Sequence, residues 1–268
     1  MSKDEAVVFM SKWYDARTNA YIEWCYGDGQ DVAHDLAMAT EAKAGMRVLD
    51  IGCNIGNSSF YLAREFSCYV VGIDASRAAV EVAQIRAQEN PPPVPAIFHL
   101  ADARAMPFDD DEFDAVVSKD TFVNIVNKPQ LVAEIFRVLK PGGWLAFTDW
   151  MQGNRESTQA YLTWREFKKE EPFDMVSLDG YEQLLQTAGF ASIVKQDRGR
   201  EFRQHIAQRY AAFVAVDPAE MQRRFGISNH DYFVYRFGLT RDVILARDVI
   251  WGQISAQKPE IQKMEDGR

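Results

Sequence analysis

The stretch Val48-Leu49-Asp50-Ile51-Gly52-Cys53-Asn54-Ile55-Gly56-Asn57 decides the fold. The apolar run Met46–Ile51 enters it and the helical pattern Asn57–Phe66 leaves it. A strand that passes through a tight glycine turn into a helix is the opening half of a parallel βαβ unit. Gly52 and Gly56 stand where backbone must approach a ligand closely, because a Cβ there would obstruct it. Asn54 lies between them, and Asn enters the left-handed region more readily than most residues.

The same alternation continues downstream. Cys68–Ile73 reads as a second strand, and Ser76–Glu89 as a helix with Ser76 as its N-cap. Ala96–Leu100 and Phe113–Val117 read as the third and fourth strands. Lys128–Leu139 reads as a helix stopped by Pro141-Gly142-Gly143, and Trp144–Asp149 as the fifth strand. Apolar strands separated by helices predict an α/β fold with a parallel sheet covered on both faces. Residues 151–189 and 200–248 are mostly helical in pattern, with Ser192–Lys195 and Ile250–Ser255 as two further strands. The expected organisation is an N-terminal helical lid over 1–40, a ligand-binding core over 41–150, a helical cap with the last two strands over 151–258, and a tail over 259–268. A cap inserted there covers the C-terminal edge of the sheet, where open α/β sheets bind ligands.

Composition narrows the partners. The 268 residues carry a net charge of −9, which opposes binding to a phosphate backbone. The group Arg198, Arg200 and Arg203 is interrupted by Glu201 and reads as a solvated helix face. Three cysteines, Cys25, Cys53 and Cys68, form no CxxC pair, so neither a disulfide framework nor a metal site is expected. With no leader or spanning run visible, a cytoplasmic protein without nucleic-acid or membrane partners is expected. The four histidines are scattered; His34, His99 and His230 read as structural, and His205 is the exception because it falls in the cap.

The glycine turn has spacing GxxxG rather than GxGxxG, and Asp50 sits inside it. A carboxylate there repels a pyrophosphate and suits a cation, which disfavours a nicotinamide oxidoreductase. Asp74 ends the second strand, where an acid accepts from ribose hydroxyls. Asp102 follows the third strand and is placed to accept from an adenine amino group, although a turn acid reads equally well there. Asn90-Pro91-Pro92 precedes the third strand and is read as loop only.

Asp50–Gly56, Asp74, Asp102 and the Leu139-Lys140-Pro141-Gly142-Gly143 turn together resemble the class I S-adenosylmethionine-dependent methyltransferases over residues 45–150. That resemblance implies a Rossmann-like seven-stranded sheet with its last strand antiparallel, and S-adenosyl-L-methionine as cofactor. The implied cofactor set is Asp50, Gly52, Cys53, Asn54, Gly56, Asp74, Ala75, Asp102, Ala103 and Lys119. Trp13–Tyr26, Ser118-Lys119-Asp120-Thr121, Phe147-Thr148-Asp149-Trp150 and Trp251-Gly252 further resemble the phosphoethanolamine and small-amine N-methyltransferases. By that resemblance Tyr14 is a catalytic latch, and Asp120 faces the acceptor amine. Asn124 stands where that group has a catalytic histidine, and Asn cannot accept a proton at neutral pH. Glu171 and Phe173 fall where the group binds phosphate. A carboxylate there implies an acceptor without phosphate. Tyr21, Trp24 and Trp150 offer π faces to a developing ammonium, with His205 beside them in the acceptor pocket. Tyr21 and Trp24 are also spaced as one helix face and read as core packing. An O-, S- or C-acceptor, a phosphobase, or a non-catalytic binding subunit is the alternative, because fold does not select the acceptor.

Overall fold

The computed structural model describes residues 30–153, 158–171, 173–225 and 230–260. Seven strands form one sheet in the order β3-β2-β1-β4-β5-β7-β6. They are β1 Arg47–Ile51, β2 Tyr69–Asp74, β3 Ala96–Leu100, β4 Phe113–Lys119, β5 Leu139–Gln152, β6 Ala191–Asp197 and β7 Val249–Gln257. β1 to β5 are parallel, and β7 runs antiparallel between β5 and β6. The order reverses between β1 and β4, which opens a crevice beyond their carboxyl ends.

Successive strand residues point to opposite faces and fill two separate cores. Val48, Val70, Ala115, Val117 and Ala146 pack under the helices α1 (Gln30–Ala39), α2 (Asn57–Glu65) and α3 (Arg77–Glu89). Leu49, Ile51, Val71, Val116, Leu145 and Phe147 pack under α4 (Lys128–Val138) and α6 (Leu178–Ala188), which follows α5 (Gln159–Phe167). Ser76 caps α3 as expected, its side chain accepting from Ala79 N. A third apolar cluster builds the cap from Trp164 of α5, Phe202 and Ile206 of α7 (Gly199–Ala215), and Val243 and Ile244 of α9 (His230–Leu245). The short α8 (Pro218–Phe225) joins the last two. No helix among the described residues is long and apolar enough to cross a membrane.

Four expectations are corrected. Helix α4 ends at Val138 and β5 begins at Leu139, so Pro141-Gly142-Gly143 lies within the strand. The reason is a partner: Gly142 N donates to Lys258 O, and Lys258 N to Gly143 O, so the excursion is hydrogen-bonded as a bulge rather than freed as a turn. Ser118 and Lys119 belong to β4 rather than following it. The end of the expected lid, Gln30–Ala39, lies on the sheet face, with Val32, Leu36 and Ala37 in its core. Arg198 is not a solvated residue. It pairs with Asp35 at 2.8 Å and with Glu201, and stacks 4.7 Å from the Trp251 ring.

Candidate active site

The turn after β1 is stitched to β2. Gly52 N and Cys53 N both donate to Ile73 O, at 2.8 and 3.0 Å, and Gly56 N donates to Cys53 O. Asn54 N donates to Asp74 Oδ2 at 2.9 Å. These amides are therefore committed to the protein and make no cradle for a pyrophosphate. Gly52, Asn54 and Gly56 all have positive φ, +75°, +49° and +86°. A Cβ on Gly52 would stand 2.1 Å from Thr121 Oγ1, so the residue after Asp120 seats directly on this turn.

Carboxylates dominate the turn. Asp50 is buried and accepts from Ser59 Oγ at 2.6 Å. Burial, with Asp74 nearby, raises its carboxyl to about 6, against the opposing pull of the Ser59 hydrogen bond and Lys119. Asp74 also accepts from Ser76 N through Oδ1 at 2.8 Å. The Asn54 side-chain oxygen is buried with no hydrogen-bond partner among the described residues, an acceptor in need of a donor. Cys53 is buried, and its thiol is pushed well above its ordinary value by burial. Such a thiol packs rather than reacts. Ala75 is half-buried beside Asp74, and Ala103 is buried beside Asp102. Asp102 is held by Arg104 through a two-pronged pair, Nη2–Oδ2 2.7 Å and Nε–Oδ1 3.0 Å. Those bonds outweigh partial burial and keep the carboxyl below its usual range.

Across the β1/β4 crevice, Asp120 follows β4 with φ +53°, a strained conformation for an acid. Its Oδ1 accepts from Thr148 Oγ1 at 2.9 Å and from Trp251 Nε1 at 2.7 Å. Trp251 pairs with Trp150 across β5 and β7, and both rings pack on Phe202, with centroids 5.8 and 5.4 Å away. The result is an acid at the mouth of an aromatic wall. Asn124 closes a single 3-10 turn, Phe122–Asn124, with its backbone N donating to Thr121 O.

A buried polar post supports that turn from below. Asp149 is fully buried and accepts from Val123 N at 3.0 Å and from Tyr181 Oη at 2.7 Å. Burial lifts its carboxyl to about 7, although the Lys128 ammonium pulls the other way. Lys128 in turn donates to Ile125 O and Asp174 O, at 2.7 and 2.6 Å.

Glu171 is not the bare carboxylate that its position in the sequence implied. It pairs with Arg236 at 2.5 Å and Lys168 at 3.0 Å, and these two cations hold its carboxyl below the usual range despite burial. Phe173 lies under Lys168, whose ammonium is 4.2 Å from the ring centroid. Glu171 therefore stands paired with two cations and not as a lone negative charge. His205 lies on α7, three residues beyond Phe202, and feels the charges of Lys119 and Asp120. Tyr14, Tyr21 and Trp24 lie outside the described residues.

Thr148, Trp251, Lys168 and Arg236 were not singled out as site residues from the sequence. Trp251 carried a signal, since an indole in the last strand needs a hydrogen-bond partner when buried. Thr148 and Arg236 are ordinary polar residues whose partners are remote in the chain, and Lys168 reads as a plain i,i+3 pair with Glu171.

Residues 49–147 match the methyltransferase domain family. A phosphoethanolamine N-methyltransferase of Triticum aestivum is 30% identical over 84% of this chain and 43% of its own length. Phosphoethanolamine N-methyltransferase 1 of Arabidopsis thaliana is 29% identical over 86% of the chain and 46% of its own length. The chain thus spans about half the length of these curated relatives. Phosphoethanolamine N-methyltransferase 2 of Haemonchus contortus, solved with phosphomonomethylethanolamine and S-adenosylhomocysteine, superposes with a TM-score of 0.80 at 24% identity, over 90% of this chain and 56% of that one. At that identity the likeness speaks for the fold.

Proposed function

We propose, from the premise that residues 49–147 are a class I S-adenosylmethionine-dependent methyltransferase domain, that this chain methylates a small molecule, and that the acceptor atom is an amine nitrogen. The observation that carries the amine is Asp120. One of its oxygens is fixed by Thr148 and Trp251, so the carboxylate is oriented for a cation before any ligand arrives.

The residues present fit the cofactor. The buried Asn54 oxygen without a donor, and the acids Asp50 and Asp74 on a turn whose amides are committed, suit a cationic, hydroxyl-bearing ligand. Asp74 would take the ribose hydroxyls and Asp102, kept ionised by Arg104, the adenine amino group. Gly52, Cys53, Gly56, Ala75 and Ala103 would line the backbone path, and Lys119 would answer the ligand's carboxylate. When bound, S-adenosyl-L-methionine supplies a methyl carbon activated by a sulfonium. The protein's tasks are then alignment and exclusion of water. Asp120 orients the nitrogen. Trp150, Trp251 and Phe202 wall off solvent and offer ring faces to the ammonium that forms. Tyr14, Tyr21 and Trp24 are proposed to close over this wall, and Asn124 to hydrogen-bond the acceptor. The net charge of −9 and the buried free thiols Cys53 and Cys68 suit a cytoplasmic enzyme without nucleic-acid partners.

A second reading has one observation in its favour. Lys168 and Arg236 converge on Glu171, where the resembled group binds phosphate, and both are side-chain types that pair with an anionic group such as phosphate. A screen with methyl-labelled cofactor over simple amines, amino acids, phosphobases, phenols and carboxylates separates the two. Labelling of amines without phosphate supports the first reading, and preference for a phosphobase the second. Labelling confined to oxygen or carbon acceptors overturns both.

A further inference from the structure

An amine held against Asp120 arrives as an ammonium, and its nitrogen has no lone pair to give until a proton leaves. The groups around Asp120 are poor at taking it. Asn124 is an amide, Lys119 is a cation, and Thr148 and Trp251 already donate to Asp120 Oδ1. The missing acceptor lies on the cap. Trp251 carries the connection, because its Nε1 is bonded to Asp120 while its ring packs on Phe202 of α7. Three residues further on, nearly one helical turn, His205 flanks the side of α7 that buries Phe202 and Ile206 and is itself exposed.

The other described histidines are spoken for elsewhere. His34 contacts Tyr61 Oη from α1, His99 packs on Phe108 beside β3, and His230 stacks on Phe213. The charges facing His205 are Arg209 on its own helix and, from the end of β4, Lys119 and Asp120. Strand β7 brings no ionisable group, while Arg236 and Arg241 of α9 are engaged by Glu171 and Asp242. Partial burial, then Arg209 and Lys119, hold the imidazole below its ordinary value, with Asp120 opposing. A neutral imidazole at pH 7 has the lone pair that the step requires.

We propose that His205 accepts the proton of the amine bound at Asp120; this rests on the amine reading above. One N–H bond breaks, its proton passes to the imidazole, and its electron pair stays on nitrogen. That pair forms the new bond to the methyl carbon as the carbon–sulfur bond breaks and leaves its electrons on sulfur. Although partly covered, His205 keeps a solvent-exposed surface, so the imidazolium returns its proton to solvent.

Two measurements test this. The first needs no acceptor: carbon-13 NMR titration of His205 in the full chain and in Asp120→Asn. Loss of the negative charge should lower the His205 midpoint, and identical midpoints would overturn the placement. The second uses the amine identified by the screen and compares His205→Gln with wild type across pH. The expected result is a kcat at pH 7 reduced by at least about 100-fold, the lower end of the range for a general base. Calorimetric cofactor affinity should stay within twofold, and the rate should recover as pH approaches the amine's own pKa. Superimposable pH profiles with an active wild type overturn the role of His205 alone. A wild type that binds cofactor but labels no amine overturns the amine reading, and this role with it.

Discussion

Replacing Gly52 by Ala tests whether the ligand turn and the Asp120 loop are one mechanical unit. The new Cβ would lie 2.1 Å from Thr121 Oγ1 and 2.6 Å from Thr121 Cβ. Rotating the Thr121 side chain leaves its Cβ in place, so the backbone at 120–121 must move. The positive φ of +75° adds strain of about 1–2 kcal/mol for any residue with a Cβ. Overpacking of this kind costs about 1–3 kcal/mol. Together these give about 2–5 kcal/mol, or a melting temperature lowered by roughly 5–15 °C for a chain of this size. The displaced segment includes Asp120, the acid proposed to orient the acceptor, so activity should fall further than stability alone accounts for. Thermal unfolding and calorimetric titration with S-adenosylhomocysteine read both effects. Cofactor affinity should drop at least about tenfold, one decade per 1.4 kcal/mol. Adding Thr121→Gly should recover part of the melting temperature. An Ala variant with wild-type melting and wild-type affinity would refute the reasoning.

Three further outcomes follow from the same geometry. Trp251→Phe removes one hydrogen bond to an ionised oxygen, worth about 1.5–3 kcal/mol, so KM for the acceptor should rise about tenfold or more while cofactor affinity holds; steady-state kinetics beside calorimetry checks this. Glu171→Gln removes the carboxylate that the buried Lys168 and Arg236 share, and stability measured in urea should fall by about 3–5 kcal/mol. Asp149 has a folded carboxyl at about 7 against an ordinary 3.8. A raised acid burdens the folded state once it ionises, so the cost is absent below pH 3.8 and complete above pH 7, at most roughly 4 kcal/mol. Asp149→Asn should remove that decline between pH 4 and 7, and an unchanged stability–pH curve would count against the buried post.

The sequence made the first half of the molecule readable because local rules govern it. Hydrophobic runs bounded by turns marked β1 to β4, and Ser76 declared its own cap. Asn54 was read as tolerant of a left-handed backbone and has φ +49°. Pro141-Gly142-Gly143 misled because its punctuation is local while its hydrogen-bond partner, Lys258, is 115 or more residues away. Glu171 misled for the same reason. Its charge is visible in the sequence, but Arg236 reaches it from a helix 65 residues later. Asp149 and Tyr181 likewise meet only once β5 and α6 are packed. The residues proposed for the cofactor cluster along the ends of β1 to β4, where spacing along the sequence already groups them. The residues proposed for the acceptor come from β4, β5, β7 and α7, and their mutual contacts, such as Trp251 Nε1 on Asp120, exist only in the folded chain.

Calorimetric titration of the purified protein with S-adenosylhomocysteine and, in parallel, with NAD tests the central claim most directly. Saturable heat with the first, none with the second, and a weakened first response in Asp74→Asn is the predicted result. Uptake of NAD with no response to S-adenosylhomocysteine would contradict the account.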